Sequence, residues 1–141
     1  MITIEMQRTN GAYGFEAKDE MGHLIQTDSS AGNGGNDSGF TPMQLLLAAL
    51  GGCSAIDIVS ILQKQKQVID GFRMKIEGKR EENKQPALWK TIHISFELMG
   101  DIDLAKAKRA ADLSMDKYCS VTETLRRAGA EITWSVQLNA A

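Results

Sequence analysis

Hydrophobic and polar residues alternate one for one in several parts of the chain, and this spacing is typical of half-buried β-strands. The first such stretch places Ile2, Ile4 and Met6 on one face, which we expect to be buried. Asn10-Gly11, which follows it, is a favoured pair for a tight hairpin turn. The pattern as a whole predicts six strands, over about residues 2–7, 12–18, 23–27, 72–77, 91–98 and 132–138.

From Leu45 to Leu62, apolar residues cover every face of a predicted helix. Thr41 and Gln44 have the spacing of a capping box, and Pro42 suits the first helical position. A helix that is apolar all round must be buried on all sides, so it either threads between two layers or is covered by a second subunit. Because Asp57 would be costly at the centre of a bilayer, we interpret this segment as a core helix and not as a membrane span.

Two shorter helices are predicted after the fifth strand. An amphipathic helix starts near Asp103 and ends near Cys119, and the box Ser120-x-x-Glu123 opens a second helix that Gly129 can end. The resulting order is βββ-α-ββ-α-α-β. It predicts an α+β fold with antiparallel sheets around a long buried central helix, in a single domain over residues 1–141.

Composition and charge narrow the choice of function. The chain has 141 residues, a net charge of -2 and two cysteines. This balance argues against nucleic acid or an anionic membrane as a partner, because both select for a basic surface. Two cysteines are too few for a disulfide scaffold, and the first residues lack the pattern of a secretion signal. We therefore expect a cytoplasmic protein.

Several common kinds of site lack their sequence motifs. The chain has no Cys-x-x-Cys pair, and His23 and His93 stand singly on predicted strands, so we expect no metal site. It has no Gly-x-Ser-x-Gly elbow of a serine hydrolase. The glycine-rich segment 29–39, which composition predicts to be a flexible loop, lacks the Gly-Lys-Ser/Thr ending of a phosphate-binding loop. The two cysteines are the remaining candidates for chemistry.

Each cysteine has an ordinary and a reactive interpretation. Cys53 is either a small buried apolar residue or, with glycines at 51 and 52, a thiol that another molecule can approach closely. Cys119 is either a loop residue or a thiol at a helix N-terminus, where the helix dipole lowers the pKa of a thiol. Cys53 lies too far along its helix for that effect. Asp57 on the same face, if it is ionised and unpaired, opposes formation of the Cys53 thiolate.

The sequences around both cysteines resemble those of a known family. The segment GGCSAID at residues 51–57 and the segment KYCSV at residues 117–121 are similar to the two cysteine motifs of the OsmC/Ohr proteins. The order of elements is similar over essentially the whole chain. The resemblance implies an intertwined homodimer in which two long central helices lie between sheets built from both chains. Active sites of such dimers lie at the subunit interface.

The family's chemistry implies roles for the two thiols. Catalytic members reduce organic hydroperoxides, commonly with a dihydrolipoyl dithiol as reductant, and need no metal or flavin. The resemblance implies that Cys53 attacks the peroxide bond and is oxidised to a sulfenic acid. It also implies that Cys119 then reacts with this sulfenic acid to form an intrachain disulfide. In those members a glutamate follows the helix-opening proline and pairs with an arginine; here Met43 follows, and Arg8 is the only arginine before the helix.

Two hypotheses about function remain. The first is a cysteine-based organic hydroperoxide reductase, which resembles a peroxiredoxin in its chemistry and serves oxidative or osmotic stress defence. The second is a non-catalytic homodimer that binds a small apolar or thiol-bearing ligand in its interface cleft. Met43 in place of the family glutamate motivates the second, because the change makes the cleft more apolar.

Overall fold

The computed structural model describes residues 1–139, which form two compact units that divide between Leu46 and Leu47. The first unit contains strands β1 (Glu5–Asn10), β2 (Gly14–Lys18) and β3 (Leu24–Thr27), which form an antiparallel sheet in the order β1-β2-β3. The predicted meander is confirmed. The first strand is expected to bury Ile2, Ile4 and Met6, but within this chain all three side chains are exposed.

Helix α1 (Pro42–Lys64) begins where the capping box places it. The backbone N–H of Thr41 donates to Oε1 of Gln44 over 3.0 Å, which satisfies one of the amides left free at a helix start. The alternative in which α1 threads between two layers of its own chain is wrong, because only one of its faces is buried; cover by a second subunit stays a prediction. Leu50 and Ile58 are fully buried, whereas Ile56 on another face is 72% exposed. Exposed residues at helical spacing on α1 inside the second unit include Ala49, Gly52, Ile56 and Ser60, and Gln63 continues this face.

One helix among residues 1–139, α1, is long and apolar enough to cross a membrane by length and composition. The core helix of a soluble protein passes the same test. In this chain the inner face of α1 packs into a core that includes Ile92, Ile94 and Phe96.

The second unit contains strands β4 (Val68–Arg80), β5 (Trp89–Asp101) and β6 (Glu131–Leu138), in the order β4-β5-β6. Strands β4 and β5 pair antiparallel, as predicted. Strand β6 instead runs parallel to β5, with Ile94 opposite Trp134, and this corrects the prediction of purely antiparallel sheets. A parallel neighbour requires a crossover connection, and the helical segment between β5 and β6 supplies it.

That crossover consists of helix α2 (Leu104–Leu113), a π-helical turn (Ser114–Tyr118) and helix α3 (Ser120–Arg127). The indole N–H of Trp134 on β6 donates to Oδ1 of Asp112 over 2.9 Å and fixes the end of α2 against the sheet. The order βββ-α-ββ-α-α-β is therefore confirmed.

Helix α1 approaches β4 closely just before Cys53. A methyl group on Gly51 would lie 2.6 Å from Cδ1 of Ile76 and 2.9 Å from Sδ of Met74, which is closer than side-chain carbons pack. A glycine at this position therefore lets the helix backbone lie directly on the strand. The same contact fixes the position of Cys53 relative to strand β4.

Candidate functional site

Helix α1 supplies two of the side chains at the site. Cys53 and Asp57 are four residues apart, so their side chains lie one turn apart on the same face of the helix. Both are half-buried. The intervening Ser54 is fully buried and donates its hydroxyl to the carbonyl oxygens of Leu50 and Gly51, so it takes no part in the site.

Cys119 lies at the junction between the π-helical turn and α3. Its backbone N–H donates to the carbonyl oxygen of Ser114 over 2.8 Å, which closes the wide turn, and π-helical turns frequently occur at functional sites. Cys119 has extended backbone angles, and its Sγ accepts a hydrogen bond of 3.4 Å from the N–H of Thr122. Cys119 itself is therefore the N-cap of α3, and the prediction that Ser120 caps this helix is wrong.

The two segments bring three functional groups together. The sulfur atoms of Cys53 and Cys119 and a carboxylate oxygen of Asp57 all lie within 4.8 Å of one another. Both cysteines are free thiols in this structure. A disulfide needs its sulfur atoms about 2.05 Å apart, so the pair is close but has to approach further before it can bond.

A hydrogen bond from the π-helical turn holds Asp57 in this cluster. The hydroxyl of the buried Ser114 donates to Oδ2 of Asp57 over 2.9 Å and links α1 to the π-helical turn. The carboxylate also lines an open depression of about 500 Å³ together with Ser60, Lys64 and Tyr118. Asp57 is therefore fixed within the unit and reachable from solvent.

The electrostatics of Cys119 differ from the sequence-based expectation. Burial is the main cause that raises the pKa of the Cys119 thiol above its ordinary value, and the neighbouring Cys53 raises it further. The hydrogen bond from Thr122 acts in the lowering direction and is outweighed. The helix N-terminus alone predicts a lowered pKa, but Cys119 is only 4% exposed, and desolvation disfavours its thiolate. Burial thus favours the protonated form of Cys119 and shields its thiol from solvent.

Sequence reasoning identified both cysteines as the candidates, and the structure places them side by side. It recognised Asp57 as a neighbour of Cys53 but missed the contributions of Ser114 and Thr122. A serine carries no signal for such a contact when its partner is distant in sequence. The Thr122 N–H instead makes a local cap contact with Cys119, which the motif assigns to Ser120. The position of Ser114, 57 residues from Asp57, depends on the crossover and cannot be read from local pattern.

Comparison with known proteins gives one consistent result. The family model described as OsmC-like protein matches residues 34–135. Protein YhfA of Escherichia coli strain K12 is 41% identical over 128 residues, which cover 90% of this chain and 91% of that protein.

Solved structures share the fold. A hypothetical protein from Aquifex aeolicus VF5 is 28% identical with a TM-score of 0.81, over 99% of this chain and 98% of that one. An organic hydroperoxide resistance protein from Elizabethkingia anophelis is 16% identical with a TM-score of 0.73, over 99% and 98% of the two chains. The match to the family model over most of the chain and the close relative in Escherichia coli show that this chain belongs to the OsmC-like protein family.

Proposed function

We propose that this chain is a thiol-dependent peroxidase that reduces organic hydroperoxides through Cys53 and Cys119. The observation that carries the proposal is the approach of two free thiols within 4.8 Å, one half-buried and one almost fully buried. A thiol pair of unequal exposure suits an attacking and a resolving role. The substrate class is supported by the fold shared with the Elizabethkingia anophelis protein named for organic hydroperoxide resistance.

Cys53 is the attacking residue in this proposal. Its side chain is half-buried, whereas that of Cys119 is almost fully buried, so Cys53 is the thiol that a substrate can reach. The Cys53 thiolate attacks one peroxide oxygen, which forms an S–O bond as the O–O bond breaks. The departing alkoxide takes a proton and leaves as an alcohol, and Cys53 is oxidised to the sulfenic acid.

Cys119 is the resolving residue. Its sulfur attacks the sulfenic sulfur of Cys53, so that an S–S bond forms and the hydroxyl group leaves with the Cys119 proton as water. A reduced dithiol of the lipoyl type then returns two electrons and two protons and restores both thiols. The burial of Cys119 keeps it from reacting with peroxide before Cys53 does.

We also infer that two copies of the chain pair through α1. The exposed face defined by Ala49, Gly52, Ile56 and Ser60 is mostly small and apolar, a composition that suits close packing of a second helix. Burial of Ile56, which is 72% exposed, would remove the largest apolar side chain on that face from water. The proposed compartment is the cytoplasm, where cellular reductants keep thiols reduced.

The test is the consumption of cumene hydroperoxide by reduced protein with dihydrolipoamide as reductant. We expect steady turnover by the wild-type protein and a loss of about 100-fold or more in Cys53→Ser, because the nucleophile is removed. Cys119→Ser should accumulate a sulfenic acid on Cys53 that dimedone traps. Ser120→Ala, an exposed change beside Cys119, is the matched control and should keep the wild-type rate.

Equal rates in the wild-type protein and Cys53→Ser would overturn the peroxidase proposal. That result would favour the alternative, a non-catalytic dimer that binds a small apolar or thiol-bearing ligand.

A further inference from the structure

Cys53, Asp57 and Cys119 form a cluster whose ligand atoms lie within 4.8 Å of one another. We propose that this cluster is a binding site for a thiophilic divalent metal ion, with Zn²⁺ as its representative, in which one coordination position stays open. The proposal does not rest on the peroxidase function. No local sequence motif indicates this site, because Cys119 is distant along the chain from Cys53 and Asp57.

The backbone arrangement suits three ligands around one ion. Cys53 and Asp57 are related by four residues on α1, the spacing by which paired ligands of helical metal sites share one face. Cys119 approaches from the turn before α3. Zinc binds thiolate sulfur at about 2.3 Å and carboxylate oxygen at about 2.1 Å, so neighbouring ligand atoms in a tetrahedral site are roughly 3.5–3.8 Å apart. The ligand atoms lie at most 4.8 Å apart, so each pair has to approach by no more than about 1.0–1.3 Å, which side-chain rotation can supply.

Two ligands already carry supporting hydrogen bonds. The Ser114 hydroxyl donates to Oδ2 of Asp57, and the Thr122 N–H donates to Sγ of Cys119. Hydrogen bonds from neighbouring groups to the coordinating side chains orient the ligands in most metal sites. The cluster therefore has fixed ligand directions and not merely a suitable composition.

The charges of the cluster favour a cation. A bound ion would displace the thiol protons, so the three ligands would together supply three negative charges. No ion pair joins Asp57 to a lysine or arginine within residues 1–139. A divalent ion would compensate most of this charge. Two sulfur ligands select for zinc and other thiophilic ions over magnesium or calcium, which prefer oxygen. The ion can reach Asp57 through the open depression that this residue lines.

Bound metal would also control the thiols. Because the ion would occupy both sulfur atoms, metal binding and a disulfide between Cys53 and Cys119 exclude one another. The open fourth position suits a water molecule or an external thiol.

The proposal is tested by titration of the full-length, reduced and metal-free protein. Zn²⁺ is added in competition with a chromophoric chelator, and Co²⁺ serves as a spectroscopic substitute. We expect one Zn²⁺ per chain with a Kd below about 1 μM. We expect Co²⁺ to give thiolate-to-cobalt charge-transfer absorption together with the intense visible bands of a tetrahedral site.

Variants assign the ligands. Cys53→Ser and Cys119→Ser should each reduce the charge-transfer absorption, and Asp57→Asn should weaken Zn²⁺ binding about 10-fold or more. Asp70→Asn, which changes an exposed carboxylate elsewhere, is the matched control and should bind as the wild-type protein does. Far-ultraviolet circular dichroism of the metal-free proteins identifies variants that fold normally, and only these are compared.

The proposal is overturned if Zn²⁺ binds more weakly than about 10 μM, or if the cobalt spectrum lacks thiolate absorption. It is also overturned if folded Asp57→Asn binds Zn²⁺ as tightly as the wild-type protein. Hydroperoxide consumption is measured separately with chelator present, so failure of the peroxidase proposal leaves the metal result unaffected.

Discussion

The hydroxyl of Ser114 donates a 2.9 Å hydrogen bond to Oδ2 of Asp57, and this bond joins the π-helical turn before Cys119 to the helix that carries Cys53. It links residues 57 positions apart in the sequence. The relative position of the two thiols therefore depends on a contact that neither cysteine makes.

Removal of this hydroxyl should destabilise the fold and loosen the site. We expect Ser114→Ala to lower the free energy of unfolding by about 1–2 kcal/mol, because a half-buried carboxylate loses a hydrogen bond from a fully buried donor. Urea denaturation measures the change. The control is Ser120→Ala, an exposed serine that should change stability by less than about 0.5 kcal/mol. Equal stability of Ser114→Ala and the wild-type protein would contradict the assigned role of the bond.

Local sequence pattern accounts for much of the fold. Alternation indicates six strands, although β1 begins three residues later than the predicted strand over residues 2–7. The box at Thr41 marks the start of α1, and both signals act between residues close in sequence. The direction of β6 was missed because alternation is the same in parallel and antiparallel strands. The cap of α3 was assigned one residue late, since Ser120 fits the motif but Cys119 has the extended backbone of a cap.

The candidate site was predictable only in part. A cysteine is a recognisable candidate wherever it occurs, so Cys53 and Cys119 were identified without a structure. Their contact and the tie to Ser114 depend on how the crossover packs on α1, which no local pattern encodes. The raised pKa of Cys119 was missed for the same reason, because its burial is a tertiary property.

The two thiols should react at different rates with an alkylating reagent. We expect iodoacetamide to modify Cys53 about 10-fold or more faster than Cys119 in native, reduced protein with chelator present. Cys53 is half-buried, whereas Cys119 is 4% exposed and burial raises its pKa. Peptide mass spectrometry at successive times measures both rates. Unfolded protein in urea is the control, and there the two rates should become similar. Faster labelling of Cys119 in the native protein would reverse the proposed roles.

The glycine-rich segment after β3 is organised around one carboxylate, although its composition predicts flexibility. Asp28 is only 3% exposed, and its Oδ2 accepts hydrogen bonds from the Ser38 hydroxyl and from the N–H groups of Asn36 and Ser38. Its Oδ1 accepts from the N–H of Ser29. The bond from the Ser38 hydroxyl is the main cause that lowers the pKa of Asp28 below its ordinary value of 3.8.

This arrangement predicts how the loop responds to pH. A carboxyl group whose pKa is lower in the folded chain than in the unfolded chain stabilises the fold at pH values above its ordinary pKa. This stabilisation is lost as the pH falls through the lowered pKa. We expect the amide chemical shifts of Asn36 and Ser38 to titrate with a midpoint below 3.8 in nuclear magnetic resonance spectra. The same amides in Asp28→Asn should not show this titration. A midpoint at or above 3.8 would contradict the assigned hydrogen bonds.

The exposed face of α1 predicts a concentration-dependent dimer. Ile56 is 72% exposed in the single chain, and burying an isoleucine contributes about 1.5–3 kcal/mol. Since a symmetric pair buries it twice, Ile56→Lys should weaken dimerisation about 100-fold or more. Light scattering coupled to size-exclusion chromatography should then show a dimer for the wild-type protein and a monomer for this variant. Ala105→Lys, an exposed change on α2 and not on α1, adds the same charge and should remain dimeric. A monomeric wild-type protein would rule out pairing through this face, and a dimeric Ile56→Lys would place the interface elsewhere.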